Sequence, residues 1–233
     1  MKHAFPSLAV GALAALAGTL AIPQTPVAPP PKPPASGPTL AVTMQFIQER
    51  LNNHDTVGYV STRSDLAAET FRQLYSISGA VADPGACTVH KIETTNTKIE
   101  VAAGNAYNEN NTPVTGDDLL RRSVETSTVH LSEVESIRVE SLQDLTSRGF
   151  AEAARPEVAV AIVPTVYTMT LVASKPVFKF HVSFIKGKNA PVESDSSGKT
   201  DTLYFRDEDT ANTLARALTH AVELCGGGNK SPF

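Results

Sequence analysis

Residues 202–228 read TLYFRDEDTANTLARALTHAVELCGGG, and this stretch decides the architecture. Leu203 and Phe205 alternate in a short strand, and Asp207 follows as a favourable N-cap for a helix. Apolar residues then recur at helical spacing along one stripe, which comprises Ala211, Leu214, Ala215, Leu218, Ala221, Val222 and Cys225. The three glycines that follow supply the left-handed residue that ends many helices. A helix of this kind needs a surface to pack on, and the preceding strands are the large apolar surface of the chain.

The N-terminal region is typical of an exported protein. Residues 1–21 have one lysine, an apolar Ala/Leu/Gly segment and a small-residue end, which is the layout of a signal peptide cleaved near Ala21. An uncleaved membrane anchor is the alternative. Pro6 and the weakly apolar Ala and Gly residues make this segment a poor membrane span. Residues 22–38 contain eight prolines in seventeen positions, so they are expected to form an extended linker.

These boundaries predict one folded domain over 39–225, followed by a flexible tail at 226–233. Localisation is expected to be the periplasm, the cell envelope or the extracellular space. The formal net charge is −4, and it becomes −5 when Lys2 leaves with the signal peptide (−4 − 1 = −5). There is no cluster of Lys and Arg residues, so nucleic acid and anionic membrane surfaces are disfavoured as partners. The oligomeric state is left open.

Two cysteines follow the signal segment, Cys87 and Cys225. In an exported protein an even count favours a disulfide, and two buried reduced thiols are the alternative. The bridge would join the last turn of the C-terminal helix to a residue far earlier in the chain.

Between the linker and residue 202, the chain predicts one helix and then mainly strands. The helix is expected over 39–53, where Leu40, Met44, Ile47 and Leu51 share one stripe. Strands are expected at 57–62, 71–81, 87–93, 125–131, 136–141, 157–163, 166–172 and 177–185. A helix over 66–75 is the alternative to the first half of the second strand, and 142–156 is ambiguous and is compatible with a short helix.

Two features of this pattern concern connections between strands. Residues 166–172 and 177–185 alternate clearly and are predicted to form a hairpin through 173–176. Polar stretches at 94–122 and 186–199 are predicted to be surface loops, with at most a short strand at 98–101.

The predicted fold class is α+β, mostly β. It is an antiparallel open barrel or bent sheet of about seven strands, capped by the C-terminal helix and joined by an extra N-terminal helix. This is a pleckstrin-homology-like layout. The pieces ADPGACTV (82–89), HLSEVESIRVES (130–141) and the 202–228 stretch resemble an uncharacterised group of exported bacterial proteins that end in His-Ala-x-x-x-Cys-Gly-Gly. The resemblance implies fold and export, and it implies no activity.

Chemistry-bearing motifs are sparse. His90, His130 and His181 fall on predicted strands, and three imidazoles brought together would be a metal site. They occupy the polar side of their strands, so solvent-facing histidines explain them equally well, and ligand-spacing motifs do not occur. The acidic run 207–209 is explained by helix initiation, and the pair 117–118 by a capped turn. We therefore assign no catalytic, cofactor-binding or metal-binding residue and expect no cofactor.

The function that this pattern favours is an exported, non-catalytic binding module for a protein or peptide. Its partner is expected at a sheet edge or at the rim formed by 94–122 and 186–199. One alternative is a cryptic hydrolase or metal-assisted enzyme that uses the strand histidines, so enzymatic activity is left open. A structural component of the cell envelope is the other alternative.

Overall fold

A computed structural model describes residues 37–66, 69–101 and 119–228. The predicted signal peptide and nearly all of the Pro-rich linker lie outside the described residues. Residues 37 onward belong to one compact unit. The described part has three α-helices, α1 (Leu40–Asn52), α2 (Leu142–Glu152) and α3 (Glu208–Leu224). None of them is long and apolar enough to cross a membrane.

Ten strands accompany these helices in the described residues. They are β1 (Val57–Arg63), β2 (Glu69–Asp83), β3 (Thr88–Val101), β4 (Leu120–His130), β5 (Ser136–Ser141), β6 (Val160–Val163), β7 (Tyr167–Val172), β8 (Phe178–Lys186), β9 (Val192–Gly198) and β10 (Thr200–Phe205). The predicted α+β class with a dominant antiparallel sheet is confirmed.

The strands form two antiparallel sheets. The large sheet has seven strands in the order β6-β1-β2-β3-β4-β8-β9, and the small sheet has three in the order β10-β7-β5. The large sheet is not closed, because β6 and β9 are its two edges. The predicted open antiparallel arrangement of about seven strands is therefore confirmed.

Helix α3 has the predicted start, stripe and stop. The Asp207 side chain accepts a hydrogen bond from the Thr210 backbone N–H at 2.7 Å. The stripe is buried through Ala211, Leu214, Leu218, Ala221 and Val222. Gly226 has φ +80°, which is the left-handed conformation that ends the helix. The helix packs against α1 and the small sheet, and its buried leucines share one core with Met44, Ile47, Phe178 and Phe205.

The predicted hairpin over 166–185 is wrong. Strand β7 pairs with β5 and β10, whereas β8 pairs with β4 and β9, so the chain passes from the small sheet to the large sheet after Val172. Alternation along a strand reports its faces and not its pairing partner. The threonines of β7 are buried rather than exposed to solvent. The Thr168 hydroxyl donates to the Glu140 carbonyl, and the Thr170 hydroxyl is hydrogen-bonded to the Thr202 hydroxyl.

The two predicted polar loops are also corrected. Half of 186–199 is the edge strand β9 (Val192–Gly198), in which every residue from Val192 to Ser197 is exposed. Strand β9 has no apolar face, so the alternation of apolar residues does not predict it. Main-chain hydrogen bonds with β8 stabilise it instead. Within 94–122, strand β3 continues to Val101 and β4 begins at Leu120, while 102–118 lies outside the described residues. A helix over 66–75 is likewise wrong, because β2 begins at Glu69.

The start of the predicted tail is fixed to the domain. Gly228 N–H donates to the Val134 carbonyl at 2.8 Å, and Gly227 N–H donates to the Val222 carbonyl at 2.8 Å. Residues 226–228 are therefore part of the folded domain, and residues 229–233 lie outside the described residues.

Replacing Gly227 by alanine is expected to destabilise the protein. The new Cβ would lie 2.9 Å from Val222 Cγ1 and 3.0 Å from the Val134 carbonyl oxygen, and closer still to the carbonyl oxygen of Leu131. Overpacking against backbone atoms costs about 1–3 kcal/mol, which chemical denaturation of the oxidised protein measures. Gly149→Ala is the matched control because its Cβ meets nothing within 4 Å in α2, and it should be neutral or stabilising. Equal effects of the two changes would contradict the prediction.

Candidate functional site

The structure does not bring His90, His130 and His181 together in one site. His90 Nδ1 is 2.9 Å from the Thr128 hydroxyl, on the exposed side of β3. His181 is exposed on β8, with Nδ1 2.8 Å from Asp195 Oδ1 and Nε2 3.3 Å from Glu193 Oε2. These carboxylates, with the Asp195 hydrogen bond first, raise the pKa of His181. His130 ends β4, and the cluster of candidate metal ligands found in the described residues contains no histidine.

The two acidic runs of the sequence, 207–209 and 117–118, have different outcomes. Asp207 caps α3, as helix chemistry predicts, and Glu208 and Asp209 occupy the first helical turn. Asp117 and Asp118 lie outside the described residues.

The predicted cysteine pair is at disulfide distance. Cys87 and Cys225 form a disulfide, and their Cα atoms are 5.9 Å apart, within the range of ordinary disulfides. The bond attaches the end of α3 to the residue before β3. A disulfide is compatible with an exported protein.

A buried group of charges lies between the two sheets. Lys91 and Glu93 face the core side of β3, next to Val89 on the same side. The Lys91 ammonium donates to Glu93 Oε1 at 2.7 Å and to Asp201 Oδ1 at 2.9 Å, and Asp201 comes from β10 of the small sheet. The Lys91 and Asp201 side chains are each 2% exposed. Tyr75 of β2 also donates its hydroxyl to Glu93 Oε1. One ammonium therefore joins two carboxylates across the sheets.

Glu125 of β4 adds a third carboxyl group. It is the cross-strand neighbour of Glu93, and one oxygen from each of Glu93, Glu125 and Asp201 lies within 4.8 Å of the others. Glu125 has no hydrogen-bond or ion-pair partner among the described residues. When all three are ionised, the group carries three negative charges against the single positive charge of Lys91.

These contacts shift the ionisation of the cluster. Burial lowers the pKa of Lys91, but Asp201 and Glu93 more than offset this and raise it above its ordinary value. Burial raises the pKa of Glu93, with Asp201 adding to the rise and Lys91 opposing it. Burial, with the nearby Glu93, raises the pKa of Glu125 to about 7. The cluster therefore keeps Lys91 protonated, and it has three carboxyl groups for one positive charge.

The three carboxyl groups of the cluster form part of the wall of a pocket of about 260 Å³. Asp201 lines this pocket, and its Oδ2 atom is buried with no hydrogen-bond partner among the described residues. The remaining wall consists of aromatic rings and hydroxyl groups, contributed by Tyr75, Tyr204, Phe180, Thr95, Ser123, Thr200 and Thr202. We call this the acidic pocket. A buried acceptor without a donor is costly, so it marks a place where a donor or cation would be stabilised.

No family model, curated protein or solved structure matches the chain. The resemblance to a group of exported bacterial proteins therefore stays a prediction. Function has to be argued from the acidic pocket itself.

Sequence reasoning missed the acidic pocket, although a signal for part of it was present. Val89, Lys91 and Glu93 alternate on one side of a strand, so burial of Val89 implies burial of the two charged side chains. Asp201 has the same relation to Leu203 and Phe205 on β10. Charged residues at core positions are rare unless paired, and the pairing partners lie on other strands.

Proposed function

We propose that this protein is an exported, non-catalytic binding module that captures a protein or peptide through a cationic group seated in the acidic pocket. The observation that carries the proposal is the surplus of carboxylate, with Asp201 Oδ2 unpartnered and Glu125 unpaired beside a single ammonium. A buried ion-pair cluster is no more stabilising than an apolar replacement, so stability alone does not explain it. A ligand cation would neutralise the surplus.

The position of the acidic pocket suits an extended partner. Phe180 on its wall pairs with Ser196 of the edge strand β9, and Thr200, also on its wall, begins β10 with one residue between it and β9. The outer edge of β9 offers unpaired backbone groups to which a peptide can add as a further strand. The rim predicted at 186–199 thus adjoins the acidic pocket, as an edge strand rather than a loop. The disulfide and the apolar 1–21 segment support export.

Glu125→Gln tests the proposal. Because the change removes a repulsive carboxylate, the folded protein should be as stable as wild type or more so, while binding of an immobilised basic peptide weakens about tenfold. The full chain is compared with Glu152→Gln, which removes an exposed glutamate from the end of α2 and should leave binding unchanged. Equal binding by wild type and Glu125→Gln, or equal capture of basic and acidic peptides, would overturn the proposal.

Binding should also depend on pH. Since the pKa of Glu125 is about 7, this group gains its negative charge as the pH rises through neutrality. Affinity for a basic peptide is therefore expected to increase from about pH 6 to about pH 8 in wild type, and Glu125→Gln should remove most of that increase. An affinity that falls over this range would contradict a cation-binding role for Glu125.

A second candidate function rests on the same residue. A carboxyl group with a pKa near 7 beside two other carboxyl groups is also suited to general acid–base chemistry. This enzymatic alternative uses Glu125 rather than the strand histidines. Turnover of a glycoside or ester by the pure protein, abolished by Glu125→Gln and retained in His181→Ala, would favour it over binding.

A further inference from the structure

We infer that the acidic pocket selects a primary ammonium group on an alkyl chain, as in a lysine side chain or a free diamine, over a guanidinium group and over a divalent metal ion. This inference rests on the proposed function and names the chemical class of its ligand. It follows from which carboxylate oxygens remain open, from the charge of Lys91 and from the aromatic walls.

Three carboxyl groups lie close enough together to accept from the three N–H donors of one ammonium group. Glu93, Glu125 and Asp201 belong to three different strands, and one oxygen of each lies within 4.8 Å of the others. An ammonium nitrogen about 2.8 Å from three acceptors at tetrahedral angles sets those acceptors about 4.6 Å apart. The Lys91 ammonium already bridges Glu93 and Asp201 in this manner, at 2.7 and 2.9 Å. Asp201 Oδ2 and Glu125 have no hydrogen-bond partner among the described residues, so they are the acceptors left for a second ammonium.

A guanidinium group fits less well. Its planar fork binds best to both oxygens of one carboxylate. Oδ1 of Asp201 accepts from Lys91, and Oε1 of Glu93 accepts from both Lys91 and Tyr75. Neither carboxylate has two open oxygens, and Glu125 alone can offer a bidentate edge.

A divalent metal ion is disfavoured by charge and by ligand number. Lys91 is held in its charged form at the same two carboxylates, and its repulsion of a divalent ion is twice that of a monovalent ammonium at the same distance. Calcium takes about six to eight oxygen ligands, often through bidentate carboxylates. In the acidic pocket Lys91 and Tyr75 occupy the oxygens that such binding requires.

The walls suit an alkyl stem. The rings of Tyr75 and Tyr204 are 4.8 Å apart between centroids, and they line the acidic pocket together with Phe180. Aromatic faces attract a cation and bury the methylene groups behind it. The pocket volume of about 260 Å³ is much larger than a single ion requires and leaves space for such a stem.

Titration calorimetry on the full chain distinguishes these ligands. The probes are a capped glycine-rich peptide with one central lysine, the same peptide with arginine, the same peptide with trimethyl-lysine, 1,5-diaminopentane and calcium chloride. We expect the lysine peptide to bind about tenfold or more tightly than the arginine and trimethyl-lysine peptides, because each of these loses hydrogen bonds to the open oxygens. Calcium should not displace it, and Glu125→Gln should weaken it while Glu152→Gln does not.

The outcomes separate this inference from the proposed function. Tighter binding of the arginine or trimethyl-lysine peptide, or displacement by calcium, would overturn selection of a primary ammonium and leave cation capture intact. Failure of every cationic probe to bind would overturn both. Binding of diaminopentane as tight as that of the lysine peptide supports the inference with a free amine as the source, and tighter peptide binding supports it with a protein lysine as the source.

Discussion

Lys91→Met is expected to lower the free energy of unfolding by about 3–5 kcal/mol near neutral pH. The ammonium is the positive partner of both Glu93 and Asp201, and it is 2% exposed. Without it, two buried carboxylates and the nearby Glu125 would face one another with no compensating charge. Methionine keeps most of the side-chain volume, so the loss reports charge rather than packing.

The pH dependence of this loss has a defined sign. The folded-state pKa of Glu93 is raised by burial, so protonation of Glu93 favours the folded state as the pH falls. Removal of Lys91 takes away the charge that opposes this rise. The difference in stability between wild type and Lys91→Met should therefore be largest near neutral pH and smaller in mild acid.

Two comparisons test whether the loss of stability in Lys91→Met comes from the buried charge. Lys98→Met removes an exposed lysine whose Glu100 partner is also exposed, and it should cost about 1 kcal/mol or less. Combining Lys91→Met with Asp201→Asn should recover part of the lost stability, because one uncompensated carboxylate is removed. Urea denaturation measures the free energy of unfolding of all three variants and of wild type. A loss below about 1 kcal/mol in Lys91→Met would mean that the ammonium is not the charge that holds the cluster.

Removing the disulfide is expected to have an effect of similar or larger size. Cys87 and Cys225 are 138 residues apart, and the chain-entropy model assigns about 5 kcal/mol to closing a loop of that length. Folded contacts at both ends remain, since Leu131 N–H donates to the Cys87 carbonyl and Gly228 N–H donates to the Val134 carbonyl. The loss should therefore arise mainly from greater freedom of the unfolded chain.

The experiment is denaturation of wild type with and without reductant, beside a double variant, Cys87→Ser with Cys225→Ser. The double variant and the reduced wild type should unfold at similar denaturant concentrations, both well below oxidised wild type. Reductant should not change the double variant. Native thiol labelling of both cysteines in oxidised protein would contradict the bridge, as would a stability difference below about 1 kcal/mol.

Local sequence signals predicted the elements whose causes are local. Asp207, the apolar stripe through Leu214 and Leu218, and the glycine at 226 place the start, buried face and end of α3. Period-two alternation likewise places Ser136–Ser141 as β5 with the predicted bounds. In these cases the residues that determine the structure lie within a few positions of one another, so neighbouring side chains carry the information.

Pairing partners were not predictable in the same way. Strand β7 lies between β5 and β10, although β8 follows it directly in the chain, and the polar strand β9 forms on the edge of β8. Main-chain hydrogen bonds join any two strands of compatible register, so a strand's sequence shows its faces and leaves its neighbour open.

The sequence by itself determined the mainly β class, the terminal helix and the cysteine pair as candidates for a bridge. Only the tertiary structure decided the acidic pocket. Lys91 and Asp201 are 110 residues apart and belong to different sheets, and Glu125 reaches them from a third strand. Each of Lys91 and Asp201 shares one side of its strand with apolar residues, but each pairs with the other from a different strand. They become a site because packing of the two sheets buries Lys91 and Asp201 and brings the half-buried Glu125 beside them. The energy of a buried charge depends on partners that local sequence does not specify.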